Sequence, residues 1–292
     1  MARQFSTHRM ICWRISRRCN RACSFCLSRS SPRHRHPRTR LAPVVEQLAT
    51  LGTEKISYTG GEPTLHPQLP EIVAIAHEMG LRQVITTNGD SFAGGLPSWL
   101  AVVEHVKTSF YGDNARHDHH MGTGHFDFLL DLVGRIHRQF DIPVSANYML
   151  TPDSTPVIPE FLVRATAAGI HDVVFQTYIH TGRAGPDQRF ALPDHRSAAD
   201  RVGELSKPFG GRFPGGLRLH DYALDGWFAV LDEVGRFTLP TSGGGADFTM
   251  GRCGDHSLRL PDGRTPTASD ALAEVWRARA GTPAIVDLTP PG

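Results

Sequence analysis

Cys19, Cys23 and Cys26 stand in C-x3-C-x2-C spacing within the run Cys19-Asn20-Arg21-Ala22-Cys23-Ser24-Phe25-Cys26, directly after an apolar segment. Three thiolates on one short loop can hold three corners of a cubane iron-sulfur cluster. Such a cluster normally takes four cysteines, so one iron is left without a protein ligand and open to chemistry. The second constraint is Tyr58-Thr59-Gly60-Gly61-Glu62-Pro63 at the end of another apolar run. Its two glycines let the backbone approach a ligand closely, with one carboxylate fixed beside them. A structural zinc site completed by His34 or His36 is the competing reading of the cysteines. Zinc leaves the second motif without a purpose.

The 292 residues are 40% hydrophobic and 21% charged, as in an ordinary globular protein. A net charge of +2 is too small to indicate nucleic-acid or membrane binding. No apolar stretch approaches a membrane span and no signal-peptide region opens the chain, so a cytoplasmic location is expected. Five cysteines, three of them clustered, do not make a disulfide framework.

Strand and helix signals alternate. Strands are expected at Met10–Ser16, Lys55–Thr59, Gln83–Thr87, His105–Phe110, Val144–Leu150 and Asp172–Ile179. Helices are expected at Pro43–Leu51, Leu69–Met79, Pro97–Val103, His125–Phe140 and Pro156–Ala168. This order predicts an α/β fold with a parallel sheet, a partial (β/α)6 TIM-like barrel, and functional loops at the C-terminal ends of the strands. The cysteine loop, Gly60–Pro63, the Asn88-Gly89 turn and a polar loop from Tyr111 to Gly124 would then share one rim.

From about Met10 to about Arg183 the chain resembles the radical S-adenosylmethionine (SAM) superfamily, on the cysteine run and the Gly-Gly-Glu-Pro motif. The resemblance implies one 4Fe-4S cluster on Cys19, Cys23 and Cys26, with SAM chelating the open iron. One electron then cleaves SAM to a 5′-deoxyadenosyl radical that abstracts hydrogen from carbon. It further implies that Gly60, Gly61, Glu62 and Pro63 border SAM, with Glu62 receiving its ammonium group. Thr87, Asn88 and Ser109 sit where the family contacts SAM, and Asn147 is a further candidate. The stretch His117–Gly124 resembles a loop of the molybdenum-cofactor and SPASM-type branch, with Met121 where an arginine often precedes the glycine. His117, His119 and His120 are expected to be surface residues of that loop rather than metal ligands.

Two units are expected: a barrel core over residues 1–183 and a small α+β C-terminal extension over 184–292 capping the barrel mouth. In the second, Pro193–Leu205 reads as a helix, Leu217–Tyr222 as a strand, Phe228–Leu239 as a hairpin and Ser269–Arg279 as a helix. The order resembles the SPASM and twitch extensions, which hold auxiliary clusters. With only Cys253 there, and Cys12 elsewhere, this chain cannot ligate one. Net oxidation is thereby disfavoured, and a thiol can return hydrogen to the substrate radical instead. Cys253, between Gly251-Arg252 and Gly254, is the expected donor. Cys12 is its competitor, expected to be a packing residue.

In whole-chain organisation and the late cysteine the chain resembles the aminoglycoside (neomycin C) epimerases, which implies inversion of a sugar carbon. A polyammonium substrate needs carboxylates, for which Asp113, Asp118, Asp221, Asp225 and Asp255 are the candidates. The basic run Arg29–Arg40 is expected to dock a flavodoxin or ferredoxin reductant. The alternative is a radical SAM enzyme acting on a peptide or nucleotide natural-product precursor. Few residues precede Met10 to serve as a leader-binding domain, so a small-molecule substrate is expected.

Overall fold

β1 (Met10–Ser16) buries Ile11, Trp13 and Ile15 on one face and turns Met10, Cys12 and Arg14 to the other. The same alternation runs through β2 (Lys55–Gly60), β4 (His105–Phe110) and β5 (Val144–Leu150). In β4, Val106, Thr108 and Phe110 are buried outward while His105, Lys107 and Ser109 line a cavity. Strands of a parallel sheet covered on both faces read as continuous apolar runs. Here the alternation marks a sheet whose inner face is polar because it encloses the site. The computed structural model describes residues 9–36, 38, 40–178, 188–192, 194–220, 229–239, 248–253, 258–259, 262–267, 269–274 and 286–287.

With β3 (Arg82–Thr87), β6 (Asp172–Thr177) and β7 (Leu217–His220), the strands β1 to β7 pair in parallel in chain order. Helices α1 (Ala42–Thr50), α2 (Leu69–Glu78), α3 (Asn114–Met121), α4 (His125–Phe140), α5 (Ile158–Ala167) and α6 (His195–Ser206) connect them. α4 shows why such helices form: Leu129, Leu132, Val133 and Ile136 recur at helical spacing and are all buried.

The C-terminal residues extend this same sheet at both sides. β8 (Ala229–Leu231) runs parallel to β1, and β9 (Arg236–Leu239) and β10 (Phe248–Arg252) follow antiparallel. β11 (Val286–Asp287) adds antiparallel to β7. The sheet is an open partial barrel in the order β10-β9-β8-β1-β2-β3-β4-β5-β6-β7-β11.

Two expectations need correction. The segment expected as a polar loop from Tyr111 to Gly124 contains α3, because Asp113 caps it by accepting from the Arg116 amide at 2.9 Å. His117, expected on the surface, is fully buried, while His119 is exposed and His120 touches the Phe25 ring. The short helix expected at Pro97–Val103 is present as a 3-10 helix, Ser98–Val102. Of the closing helix, 269–274 is helical and the remainder lies outside the described residues. No helix among the described residues is long and apolar enough to cross a membrane.

Candidate active site

The cluster loop is seated by backbone contact with the Gly60-Gly61 turn. The Gly61 amide donates to Ser16 O at 2.6 Å and the Glu62 amide to Arg18 O at 2.9 Å. A Cβ on Gly60 would meet Ser16 O at 2.3 Å, and one on Gly61 would meet Arg18 O at 2.1 Å. Both glycines line the cavity and also pack closely against the chain that leads into the cysteines. Gly60 also sits at φ +130°, which disfavours any other residue.

Glu62, only 1% exposed, ties four donors together. Its Oε1 accepts from the Thr64 amide at 3.1 Å, Thr64 Oγ1 at 2.6 Å and Thr87 Oγ1 at 2.8 Å, and its Oε2 from the Asn88 amide at 2.8 Å. Burial pushes its carboxyl upward, and the bonds from Asn88, Thr64 and Thr87 oppose that shift. Oε1 is crowded whereas Oε2 keeps capacity for a further donor. Pro63, buried beneath, opens the 3-10 turn that Glu62 caps.

Asn88 links this carboxylate to the cysteines, donating from Nδ2 to Asn20 Oδ1 at 2.9 Å. Thr87 Oγ1 accepts from the Gly89 amide at 3.0 Å. Ser109 and Asn147, partners across β4 and β5, both face the cavity. Asn147 Oδ1 is shielded from solvent and has no hydrogen-bond partner, as a group awaiting a ligand would be.

The three thiols suit a cubane. Amides of Arg21 and Ser30 point at Cys19 Sγ (3.3 Å) and Cys26 Sγ (3.4 Å), the kind of N–H contact that tunes cluster potentials. Burial pushes the Cys19 thiol up to about 12, so its ionisation depends on the metal it would hold. Among the described residues no three His, Cys, Asp or Glu side chains converge as one ion requires. The histidines of the zinc reading are engaged elsewhere, His34 with Arg29 O at 3.1 Å and His36 with Ser16 Oγ at 2.9 Å. A cubane needs no such convergence, because each thiolate meets a different iron.

A cavity of about 380 Å³ opens from the cysteines down the inner face of β1 to β8. Arg14, Lys55, Lys107 and Arg218 line its wall, and among the described residues Glu62 is the one carboxylate in that lining. Just behind the wall lies Asp172, with no solvent exposure, accepting from Arg218 and Ser145. Burial opposes its charge, but the His171 hydrogen bond, the Arg218 charge and the Ser145 hydrogen bond hold its carboxyl well below the usual range. Burial pushes the neighbouring His105 down to about 3, leaving it neutral.

Asp113 and Asp118 do not line the cavity. Asp113 caps α3 and pairs with Arg116 at 2.8 Å, and Asp118 caps α4 through the Gly124 and Phe126 amides at 2.5 and 2.9 Å. Asp221, Asp225 and Asp255 lie outside the described residues. Cys253 donates to Gln47 Oε1 of α1 at 2.7 Å and is not in the cavity lining, whereas Cys12 is.

Sequence reasoning missed Asp90 and the partners gathered on it. The Asp90 carboxylate receives Arg21 of the cluster loop, with His125 at 3.3 Å, and His125 in turn meets His117 at 2.8 Å. A charged residue directly after the Asn88-Gly89 turn was the available signal. Met121, standing where an arginine was expected, offers its carbonyl to Arg21 and its sulfur to Cys23 at 3.7 Å.

The sequence model of the radical SAM superfamily matches residues 13–165, more than half of the chain. This chain belongs to the radical SAM superfamily. Its cofactors are accordingly a 4Fe-4S cluster and SAM. It is 26% identical over 239 residues to the Fe-coproporphyrin III synthase of Methanosarcina barkeri, covering 78% of this chain and 60% of that protein. It is 41% identical over 91 residues to the GTP 3′,8-cyclase of Stenotrophomonas maltophilia, covering 29% of this chain and 28% of that one. The chain thus spans less than two thirds of the curated relatives it matches. The crystal structure of Streptococcus suis SuiB bound to S-adenosylmethionine superposes with a TM-score of 0.64 at 14% identity, covering 93% of this chain and 66% of that one. That similarity concerns the fold.

Proposed function

We propose that this radical SAM enzyme acts on an anionic natural-product precursor of the nucleotide kind, rather than on an aminoglycoside. The charge of the cavity carries this reading. Its one described carboxylate, Glu62, already holds four donors, while Arg14, Lys55, Lys107 and Arg218 line the wall. A polyammonium substrate would meet repulsion there, and a phosphate-bearing one attraction. The GTP 3′,8-cyclases and the S-adenosylmethionine-dependent nucleotide dehydratase of Flammeovirga pacifica, 34% identical over 82 residues, support the substrate class by their names.

When bound, the cluster and SAM supply an electron and a 5′-deoxyadenosyl radical that takes hydrogen from substrate carbon. Cys19, Cys23 and Cys26 would hold the cluster. Glu62 Oε2 is disposed to accept from the SAM ammonium group, and Asn88, Ser109 and Asn147 to orient the remainder of SAM. Tyr111, Phe25 and Tyr178 wall the upper cavity with aromatic surface and exclude water. The basic segment Arg29–Arg40 would dock a flavodoxin or ferredoxin as electron donor.

Redox-neutral inversion is a second reading, favoured by one observation: the Cys12 thiol faces the cavity. Returning its hydrogen would leave a thiyl, to be restored by an electron and a proton from the external reductant. Cys253, bonded to Gln47, is less well placed for that role.

The test is anaerobic reconstitution, reduction in the presence of SAM, and measurement of 5′-deoxyadenosine with nucleotides or neomycin-type compounds added. Nucleotides should stimulate its release. Stimulation by the aminoglycosides alone would overturn the substrate assignment.

A further inference from the structure

Four cations and two carboxylates define the lower cavity. Lys55 pairs with Glu104 at 3.2 Å, and Arg218 pairs with Asp172. Arg14 and Lys107 have no ion pair or side-chain hydrogen bond among the described residues. Two positive charges are therefore left in excess on a partly buried wall. An uncompensated buried charge is costly, and a protein retains one where a ligand completes it.

The strand register places these two groups together. Arg14 pairs with Thr59, Lys107 with Thr86 and Ser145, and Ser145 with Asp172. One step beyond the Tyr58 and Ile85 pair, Thr59 and Thr86 continue the same tier. Arg14, Thr59, Thr86, Lys107 and Ser145 thus form one ring around the inner wall. It lies two residues, about 7 Å of strand rise, below Ser109 on β4. Burial pushes up the Cys12 thiol, one tier below, and both cations oppose that shift, while burial pushes Lys107 down to about 8, with Asp172 opposing it.

We propose that Arg14 and Lys107 form a phosphoryl subsite, flanked by the hydroxyls of Thr59 and Thr86, that binds the phosphate end of the substrate beneath SAM. This rests on the reading of the cavity as a radical SAM active site. A phosphate monoester carries close to two negative charges at neutral pH, matching the excess of two cations. The arginine supplies a planar fork and the lysine a point charge. Asp172 keeps Arg218 and Ser145 engaged, so the incoming anion meets Arg14 and Lys107 as the open partners.

The probe is pyrophosphate, titrated calorimetrically into the cluster-loaded chain at low and physiological salt, with acetate and a glutamate-containing peptide as carboxylate comparators. Pyrophosphate should bind, more weakly at higher salt, and Lys107→Met or Arg14→Gln should each weaken it about tenfold or more. Lys107→Met should also melt at a higher temperature than the parent without anion, because an unpaired buried charge has gone, whereas Lys107→Arg should retain binding. The subsite is overturned if both neutral variants bind pyrophosphate like the parent, or if carboxylates bind in its place. It is also overturned if SAM affinity falls in step with pyrophosphate affinity, which would assign the cations to the SAM carboxylate. A parent that releases no 5′-deoxyadenosine would instead refute the radical SAM active-site reading, a result separable from any of these.

Discussion

Arg21, between the first two cluster cysteines, grips Asp90 in the turn after β3 at two points, Nε to Oδ2 at 2.7 Å and Nη2 to Oδ1 at 2.6 Å. The pair joins the loop that carries the thiols to the strand that carries Thr87 and Asn88. Burial works against the Asp90 charge, yet His125 and Arg21 hold its carboxyl well below the usual range.

Removing that grip should loosen the cluster loop. Asp90→Ala is expected to cost about 2 kcal/mol of stability, the scale of a charge-assisted contact that leaves its partner behind. Iron retention after reconstitution should fall, and SAM cleavage with it. Asp90→Asn should be intermediate, since it keeps one acceptor. An Asp90→Ala protein that retains parental iron and thermal midpoint would refute the argument.

The glycines give a sharper contrast. Gly61→Ala drives a Cβ against the Arg18 carbonyl, a backbone atom that cannot rotate away. A loss of about 3 kcal/mol is expected, with failure to hold the cluster. Gly203 in α6 has nothing within 4 Å of a Cβ and no positive φ. Gly203→Ala should therefore stabilise by roughly 0.5–1 kcal/mol. Denaturation midpoints of the two variants should move in opposite directions.

Cys253 and Cys12 separate by position. Cys253→Ala removes a contact to Gln47 on the outer helix and should leave 5′-deoxyadenosine release and product formation close to parental. Cys12→Ala alters the cavity wall and should change product yield. Loss of product in the first variant with intact SAM cleavage would restore Cys253 as the hydrogen donor.

Buried histidines set an acid limit. Burial pushes His66 down to about 4 and His105 and His117 to about 3, so all three are neutral in the fold. The unfolded chain takes up their protons below pH 6.5 while the native chain does not. Stability is thus full above about pH 6.5 and is lost as the pH falls toward 4, with a limiting slope of about 4 kcal/mol per unit for three such groups. Melting curves at pH 7.5, 6.5 and 5.5 should show the midpoint falling across the lower interval. A flat midpoint would mean that these rings already carry protons in the fold.

Local pattern and local chemistry were legible in the residue order alone. The six parallel strands, α4 to the residue, the cysteine spacing and the Gly-Gly-Glu-Pro turn follow from periodicity and from backbone rules that act over a few positions. The superfamily followed from those two motifs. What lay beyond reach depended on residues far apart in the chain. Asp90 meets Arg21 across 69 residues, and Cys253 meets Gln47 across 206. Whether Asp113 and Asp118 face a ligand or cap a helix was decided by α3 and α4, whose first amides needed acceptors. The sign of the cavity was hidden too, because a chain of nearly neutral total charge can turn its arginines and lysines inward at alternate strand positions. Spacing sets which chemistry a loop can hold; only the curvature of the sheet, which brings the inward side chains of β1 to β8 around one space, sets which substrate that space will accept.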